Sequence, residues 1–376
     1  MKDENTNLKK QNCTRKRMSF WKLAVIDLTG LAVGMGLFMM FDYVLPQSSG
    51  TSGETIADLT DYESSNFDIP ESAGESVKQD SKSQSEGSSK GKHGDGGKSE
   101  NTGGHKKGGE DTGNTNTSSI SSDVNSASDI SSSNITSTFI DDYSDDNIKI
   151  TINEKSIGND SDKITYYTAD IYVTNIKYLK TAFADNEYGK NIKDTINSTA
   201  EQNDAVIAVN GDFYGNGEDG VVIRNGVLYR SDTNDADICV LFTNGEMKTY
   251  SPEEFNCDDV ILQGAWQAWT FGPALLDGNG SVLSSFNTTS YLNSENPRTA
   301  IGYAAPGHYI LTVVDGRSEG HSRGATLSEL AQIMADEGCI SAYNLDGGKS
   351  SGMVFRGEYI NEPVSGGREV SDIIYL

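Results

Sequence analysis

The sequence predicts an α+β fold, with a mixed, largely antiparallel sheet containing hairpins and at least one βαβ crossover, and helices packed on that sheet. A transmembrane helix and a disordered linker precede it. Two apolar runs, Ile310 to Val314 and Cys339 to Leu345, each end on a carboxylate, Asp315 and Asp346, with one helical stretch between them. Three pairs, Asn225-Gly226, Asn244-Gly245 and Arg356-Gly357, sit between strand-like runs as tight hairpin turns do.

Composition divides the chain at 1–22, 23–45, 46–146 and 147–376. The first segment is a basic tail carrying Lys9, Lys10, Arg15, Lys16, Arg17 and Lys22. An apolar run follows from Leu23 to Leu45, long enough as a helix to cross a hydrocarbon core of about 30 Å. Positive residues stay inside, so the tail is expected in the cytoplasm and everything after Pro46 outside. Asp27 and Asp42 lie near the ends of the run, where a charge costs least. The alternative is a cleaved signal peptide, but the run is long for one and no small-x-small site follows, which favours a retained signal anchor.

Residues 46–146 are rich in Ser, Gly, Asp, Asn and Lys and almost free of aromatic side chains. Such a segment buries too little surface to offset the entropy of ordering, so it reads as a disordered linker able to give reach across an envelope. His93 and His105 within it read as incidental rather than as a metal tract.

The remaining 147–376 are enough for one domain with a sizeable core. A helix is expected near Asn191 to Gln202. The run Val206 to Val209 reads as a buried strand leading into Asn210-Gly211-Asp212. Thr326 and Glu329 have the spacing of a capping box; Leu327, Leu330, Ala331 and Met334 then form one apolar helix face, and Gly338 can end the helix. If the flanking runs are parallel strands, Asp315 and Asp346 leave the sheet at one edge, where open α/β sheets collect ligand-binding groups.

Several chemistries are disfavoured. A formal net charge of -25 argues against a surface that neutralises nucleic-acid phosphates. Gly348-Lys349-Ser350 resembles the end of a P-loop, but Tyr343 occupies the position of its first glycine and the loop follows its helix. His308 and His321 are the only histidines of 147–376, with no HExxH and no CxxC, so zinc is unsupported. A hard cation such as calcium or magnesium on Asp212, Asp315 or Asp346 stays open. Cys239 and Cys257 are either bridged or, with Cys339, small buried apolar groups.

Asn296-Pro297-Arg298-Thr299-Ala300-Ile301-Gly302, Val313 to Arg317, Gly324 to Ala331 and Asn344-Leu345-Asp346-Gly347-Gly348 with Ser350-Ser351 resemble, in that order, the motifs of the phosphodiester glycosidase family. Asn210 to Tyr214 and Phe271 to Leu275 resemble its earlier motifs, and Asn361-Glu362-Pro363 with Arg368 to Ser371 its tail. The resemblance runs from about Val206 to the C-terminus. Lys349 departs from it, replacing a third glycine.

What the resemblance implies is hydrolysis of a sugar joined through its anomeric carbon to a phosphodiester, with exopolysaccharide or other cell-envelope glycans as the expected partner and the membrane as anchor. A phosphate monoester, with a second pKa near about 6, leaves without a strongly raised acid, so the protein must chiefly neutralise phosphate and supply a carboxylate. Asp346, Asp315 and Asp212 are the candidate carboxylates in that order, ahead of Glu319 and Glu329. Arg298, Arg317 and Arg323, with Arg368, are the candidate phosphate clamps, because a guanidinium fork can hold two phosphate oxygens. Asn210 and Asn344 would hold sugar hydroxyls, Gly347, Gly348, Ser350 and Ser351 would line the phosphate, and His321 would sit on a loop over the substrate. Two other classes remain beside this one: a non-catalytic glycan-binding module using Trp266, Trp269 and Tyr291 as stacking platforms, and a metal-dependent phosphodiesterase.

Overall fold

The computed structural model describes residues 20–50, 52–59, 66–74, 135–290 and 292–376. The apolar run forms α1, Phe20–Tyr43, the one helix among the described residues long and apolar enough to cross a membrane. Two short strands follow, β1 at Gln47–Ser48 and β2 at Glu54–Thr55. A meander then begins with β3, Thr136–Ser144, β4, Ile148–Ile157, and β5, Ile164–Val173. Next come β6, Lys180–Phe183, β7, Gly189–Lys190, α2, Ile196–Gln202, and β8, Ile207–Asn210. The hairpins β9, Val222–Arg224, with β10, Val227–Arg230, and β11, Ile238–Phe242, with β12, Met247–Tyr250, turn at the two Asn-Gly pairs. Asn225 and Gly226 take φ of 53° and 74°, the left-handed pair such a turn needs.

A short helix α3, Cys257–Leu262, leads to β13, Ala265–Thr270. The last third contains β14, Arg298–Ala305, β15, His308–Val314, α4, Leu327–Asp336, and β16, Ser341–Asn344. Strands β17, Met353–Phe355, β18, Glu358–Tyr359, and β19, Asp372–Tyr375, complete it.

Three larger sheets result, in the orders β12-β11-β13-β9-β10-β2, β16-β14-β15-β5-β4-β3 and β18-β17-β8-β19-β6. Every neighbouring pair among the described strands is antiparallel; the predicted crossover is present nonetheless, because β14 lies between β15 and β16 and runs against both. One face of the central sheet joins the other two sheets in a shared core that includes Ile152, Val209, Leu241, Trp269, Leu311 and Tyr343. Its other face is covered by α4 through Leu327, Leu330, Ala331 and Met334, packed on Ala300, Ile310 and Ala342. The helix approaches so closely that a Cβ on Gly302 would lie 2.3 Å from Cys339 Sγ and 2.6 Å from Met334 Cε. Strands covered on both faces read as continuous apolar runs, which is why Ile310 to Val314 shows no alternation.

The capping box at α4 is complete, with Thr326 Oγ1 accepting from Glu329 N and the Glu329 carboxylate accepting from Thr326 N. Thr326→Ala is expected to lower unfolding stability by about 1 kcal/mol in chemical denaturation, the usual loss for an N-cap.

The folded part extends further toward the N-terminus than position 147. Strand β3 opens the central sheet at Thr136, and the stretches 47–50, 52–59 and 66–74 lie against the domain within the segment expected to be linker. Strand β1 pairs with β7 and β2 with β10, Phe67 N donates to Thr174 O, and Ala57 and Ala73 are buried. The rest of the expected linker, with His93 and His105, lies outside the described residues. Cys239, Cys257 and Cys339 are unbridged, Cys239 and Cys339 being buried.

Candidate functional site

With β15 and β16 parallel across β14, Asp315 and Asp346 leave the central sheet at one edge, as the spacing predicts. The end of β8 in the neighbouring sheet is tied to this edge. Asn210 Nδ2 donates to Asp346 O at 2.7 Å, Asn210 Oδ1 accepts from Thr299 Oγ1 at 2.7 Å, and Asp346 N donates to Gly211 O at 3.3 Å. Gly211 is required here, because a Cβ would fall 2.3 Å from Asp372 Oδ1.

Asp346 is 7% exposed. Its Oδ1 accepts from Gly347 N at 2.8 Å, and its Oδ2 accepts from Ser350 Oγ at 2.5 Å and from Arg368 Nη2 at 2.6 Å. Arg368 Nε also donates to Ser350 Oγ, so the three side chains close a small network. Burial raises the Asp346 pKa above the ordinary carboxylate value despite the opposing charge of Arg368. Arg368 is half-exposed, its guanidinium 5.0 Å from the centre of the Phe213 ring, and Lys193 Nζ lies 5.1 Å from the same ring. Lys349 is exposed in the Asp346 loop. Beside it, Gly348 has φ of 67°, and a Cβ there would lie 3.6 Å from Arg317 Nη2. Two guanidinium groups therefore border the Asp346 loop.

Asp315 makes a second, separate arrangement. Its side chain is buried, with Oδ2 2.8 Å from His321 Nε2. Asn361 Nδ2 donates to Oδ1 at 2.8 Å, and Glu362 N lies 3.2 and 3.1 Å from the two oxygens. A carboxylate with this many donors holds an imidazole in one orientation, and His321 keeps part of its ring open to solvent. Asn361 Nδ2 also reaches Ser351 O at 3.5 Å, which joins the Asp315 and Asp346 loops.

Of the residues singled out from sequence, the edge therefore brings together Asp346, Asp315, His321, Arg317, Arg368, Gly347, Gly348, Ser350 and Ser351. Others have different work. Arg298 is a correction: its guanidinium is buried and donates to the carbonyls of Leu292, Ser294 and Ala325, fastening the loop before β14. Burial and the nearby Arg317 charge push its pKa down to about 10. Arg323 is another, since it forks onto Glu329 with a further contact to Glu295, locking the α4 capping box rather than facing a ligand. Asn210 and Asn344 are fully enclosed and do not offer amides to sugar hydroxyls; Asn344 Nδ2 donates to Gly272 O at 2.7 Å.

Asp212 is buried against Arg224, 2.9 Å from Nη2, and accepts from Thr270 N and Tyr214 N. It belongs to an internal ion cluster with Arg224 and Asp372. Asp212, Asp315 and Asp346 therefore do not converge as one cation-binding set, and no group of three potential ligands does so among the described residues. Trp266 and Trp269 belong to the core rather than forming stacking platforms, and Tyr291 lies outside the described residues.

Sequence reading missed Arg224, Asp372, Lys193 and the roles of Phe213 and Asn361. The last two stood inside motifs already noted, Asn210 to Tyr214 and Asn361 to Pro363.

Residues 203–376 match the sequence profile of the phosphodiester glycosidase family. The SPbeta prophage-derived uncharacterized protein YomE of Bacillus subtilis (strain 168) is 36% identical over 180 residues, covering 46% of this chain and 28% of that protein. The N-acetylglucosamine-1-phosphodiester alpha-N-acetylglucosaminidase of Bos taurus is 37% identical over 79 residues, covering 21% of this chain and 14% of that enzyme. The chain thus spans well under a third of the length of these curated relatives. Among solved structures, the zebrafish enzyme of the same name, a catalytic domain auto-inhibited by its pro-peptide, shares the fold with a TM-score of 0.51 at 18% identity, over 64% of this chain and 87% of that one. The ordered motifs and the profile agree over residues 203–376, so the C-terminal region of this chain is similar in sequence to the phosphodiester glycosidase family, and its mixed α+β architecture is the fold of the zebrafish domain.

Proposed function

We propose that the chain hydrolyses the bond between a sugar's anomeric carbon and a phosphodiester, as an extracytoplasmic enzyme anchored by α1 and acting on cell-envelope or exopolysaccharide glycans. One observation carries this reading: Arg317, Asp346 with Ser350, and Arg368 come from three separate loops to one sheet edge, beside the Asp315–His321 pair.

Arg368 is placed to hold the phosphate with its outward side while its Nη2 stays on Asp346, and Arg317 supplies a second cation across the Gly348 turn. Phosphate held there sets the anomeric carbon over the Asp346 loop. As the carbon-oxygen bond breaks, the electron pair leaves with the phosphate, whose charge the two guanidinium groups balance. The Asp346 carboxylate stabilises positive character on the sugar, either attacking the carbon or directing a water to it, and His321, held by Asp315 on the neighbouring loop, is the base assigned to accept that water's proton in this reading.

Hydrolysis in ¹⁸O-labelled water tests the reading. The full chain with a sugar phosphodiester is expected to release free sugar with the label on the sugar and none on the phosphate. Label on phosphate would assign phosphorus-oxygen cleavage instead, and binding without turnover would leave a glycan-binding module.

A further inference from the structure

The outer end of α1 is fastened to the domain instead of being released into a tether. Lys190 Nζ lies 2.7 Å from Asp42 Oδ1 and 3.2 Å from Glu218. Asn191 Nδ2 donates to Asp42 O at 3.1 Å and to Leu45 O at 3.3 Å, meeting carbonyls at a helix end that have no intrahelical partner. Within four residues of the helix, β1 pairs with β7, Gln47 opposite Lys190 and Ser48 opposite Gly189. A cation at a helix C-terminus also suits the helix dipole.

Position along the bilayer follows from α1 itself. Val25, Leu28, Leu31, Leu37, Phe38 and Phe41 are exposed around it, an arrangement that suits lipid and not water. Trp21 and Tyr43 stand at its two ends, about 33 Å apart at about 1.5 Å per residue, the separation of two interfacial aromatic belts. The contact between Asp42 and Lys190 therefore sits at the outer membrane surface. From Lys190 to Lys193 the chain covers at most about 10 Å even when extended, and Lys193 shares the Phe213 ring with Arg368. The bridge between Asp194 and Val370 fixes that short segment beside Arg368.

From this we infer that the substrate is a sugar phosphodiester whose other ester arm is a lipid in the same membrane, its phosphate received at headgroup depth by Lys193 and Arg368. The inference rests on the glycosidase reading and adds the substrate class to it. A membrane-borne ester is confined near a site held at that depth, which raises its effective concentration, whereas a soluble anionic polymer meets a chain of net charge -25.

The test uses the full chain in phosphatidylcholine vesicles with two probes, N-acetylglucosamine 1-phosphate esterified to hexadecanol and the same compound esterified to methanol. The wild type is expected to cleave the hexadecyl ester at least about tenfold faster at equal bulk concentration. Lys190→Glu, which places like charge against Asp42 and Glu218, should abolish that preference while leaving methyl ester cleavage unchanged, and adding Asp42→Lys should restore it. Cleavage of the methyl ester without a preference, or a preference that survives Lys190→Glu, overturns the inference and leaves the glycosidase reading intact. Absence of cleavage of either ester overturns both.

Discussion

Asp346→Asn is expected to lower turnover by about a thousandfold or more, the scale seen when a carboxylate of a catalytic unit is removed. The asparagine keeps an acceptor for Gly347 N but turns an NH₂ toward Arg368, whose Nη2 donates to the Asp346 carboxylate at 2.6 Å. A donor then faces a donor, and one charge-assisted bond is lost. Against this, burial already disfavours the ionised carboxylate, so its neutral replacement removes a desolvation cost. The two effects oppose each other in stability, while catalysis loses the negative charge and the nucleophile outright. Single-turnover rates should therefore collapse with little change in thermal unfolding. A variant retaining more than about a tenth of wild-type turnover would take Asp346 out of the reaction. The raised pKa also sets the acid limb of the wild-type pH profile: activity needs the carboxylate ionised, so it falls, as pH drops, at a higher pH than an ordinary aspartate would give.

The shared edge of Asp315 and Asp346 was legible because it follows from local pattern. Two buried apolar runs and a capped helix of the right length leave one geometry for a crossover. The intervening β14 was not legible, since nothing in Arg298 to Ala305 states which strand it separates. Hairpins at Asn225-Gly226 and Asn244-Gly245 were equally local. Arginine roles were not. Arg298, Arg317, Arg323 and Arg368 are alike in sequence, and only the carbonyls around Arg298 and the Glu329 carboxylate beside Arg323 separate structural guanidinium groups from the two at the site. Strands of two residues such as β1 and β2 show no period at all, so the docking of 47–50 and 52–59 had no signal in a Ser- and Gly-rich stretch. The least legible feature was the pairing of Arg224 with Asp372, residues 148 positions apart.

Arg224→Met is expected to destabilise the domain by about 3–5 kcal/mol, the cost of leaving buried charge uncompensated. Arg224 is 2% exposed, with Nη2 2.9 Å from both Asp212 Oδ2 and Asp372 Oδ2 and Nε 2.9 Å from Asp372 Oδ2. Its Nη1 donates to the carbonyls of Ile223 and Ala268, and the rings of Tyr214 and Trp269 lie 5.8 and 5.9 Å away. Burial and the Asp212 charge already outweigh Arg224 at Asp372 and raise its pKa. A group with a raised folded-state pKa favours the fold below its unfolded pKa, and that contribution is lost as pH rises through the folded pKa. Methionine at 224 removes the opposing cation, so the deficit should grow with pH and shrink on acidification as Asp372 takes up a proton. Adding Asp372→Asn should recover part of the loss, because one of the two facing charges is then gone. Denaturant unfolding at several pH values measures all three, and a loss below about 1 kcal/mol at neutral pH would show the cluster to be dispensable. The consequence reaches the site through backbone: Gly211 N donates to Asp372 O and Gly211 O accepts from Asp346 N, so a displaced Asp372 moves the strand end on which the Asp346 loop rests.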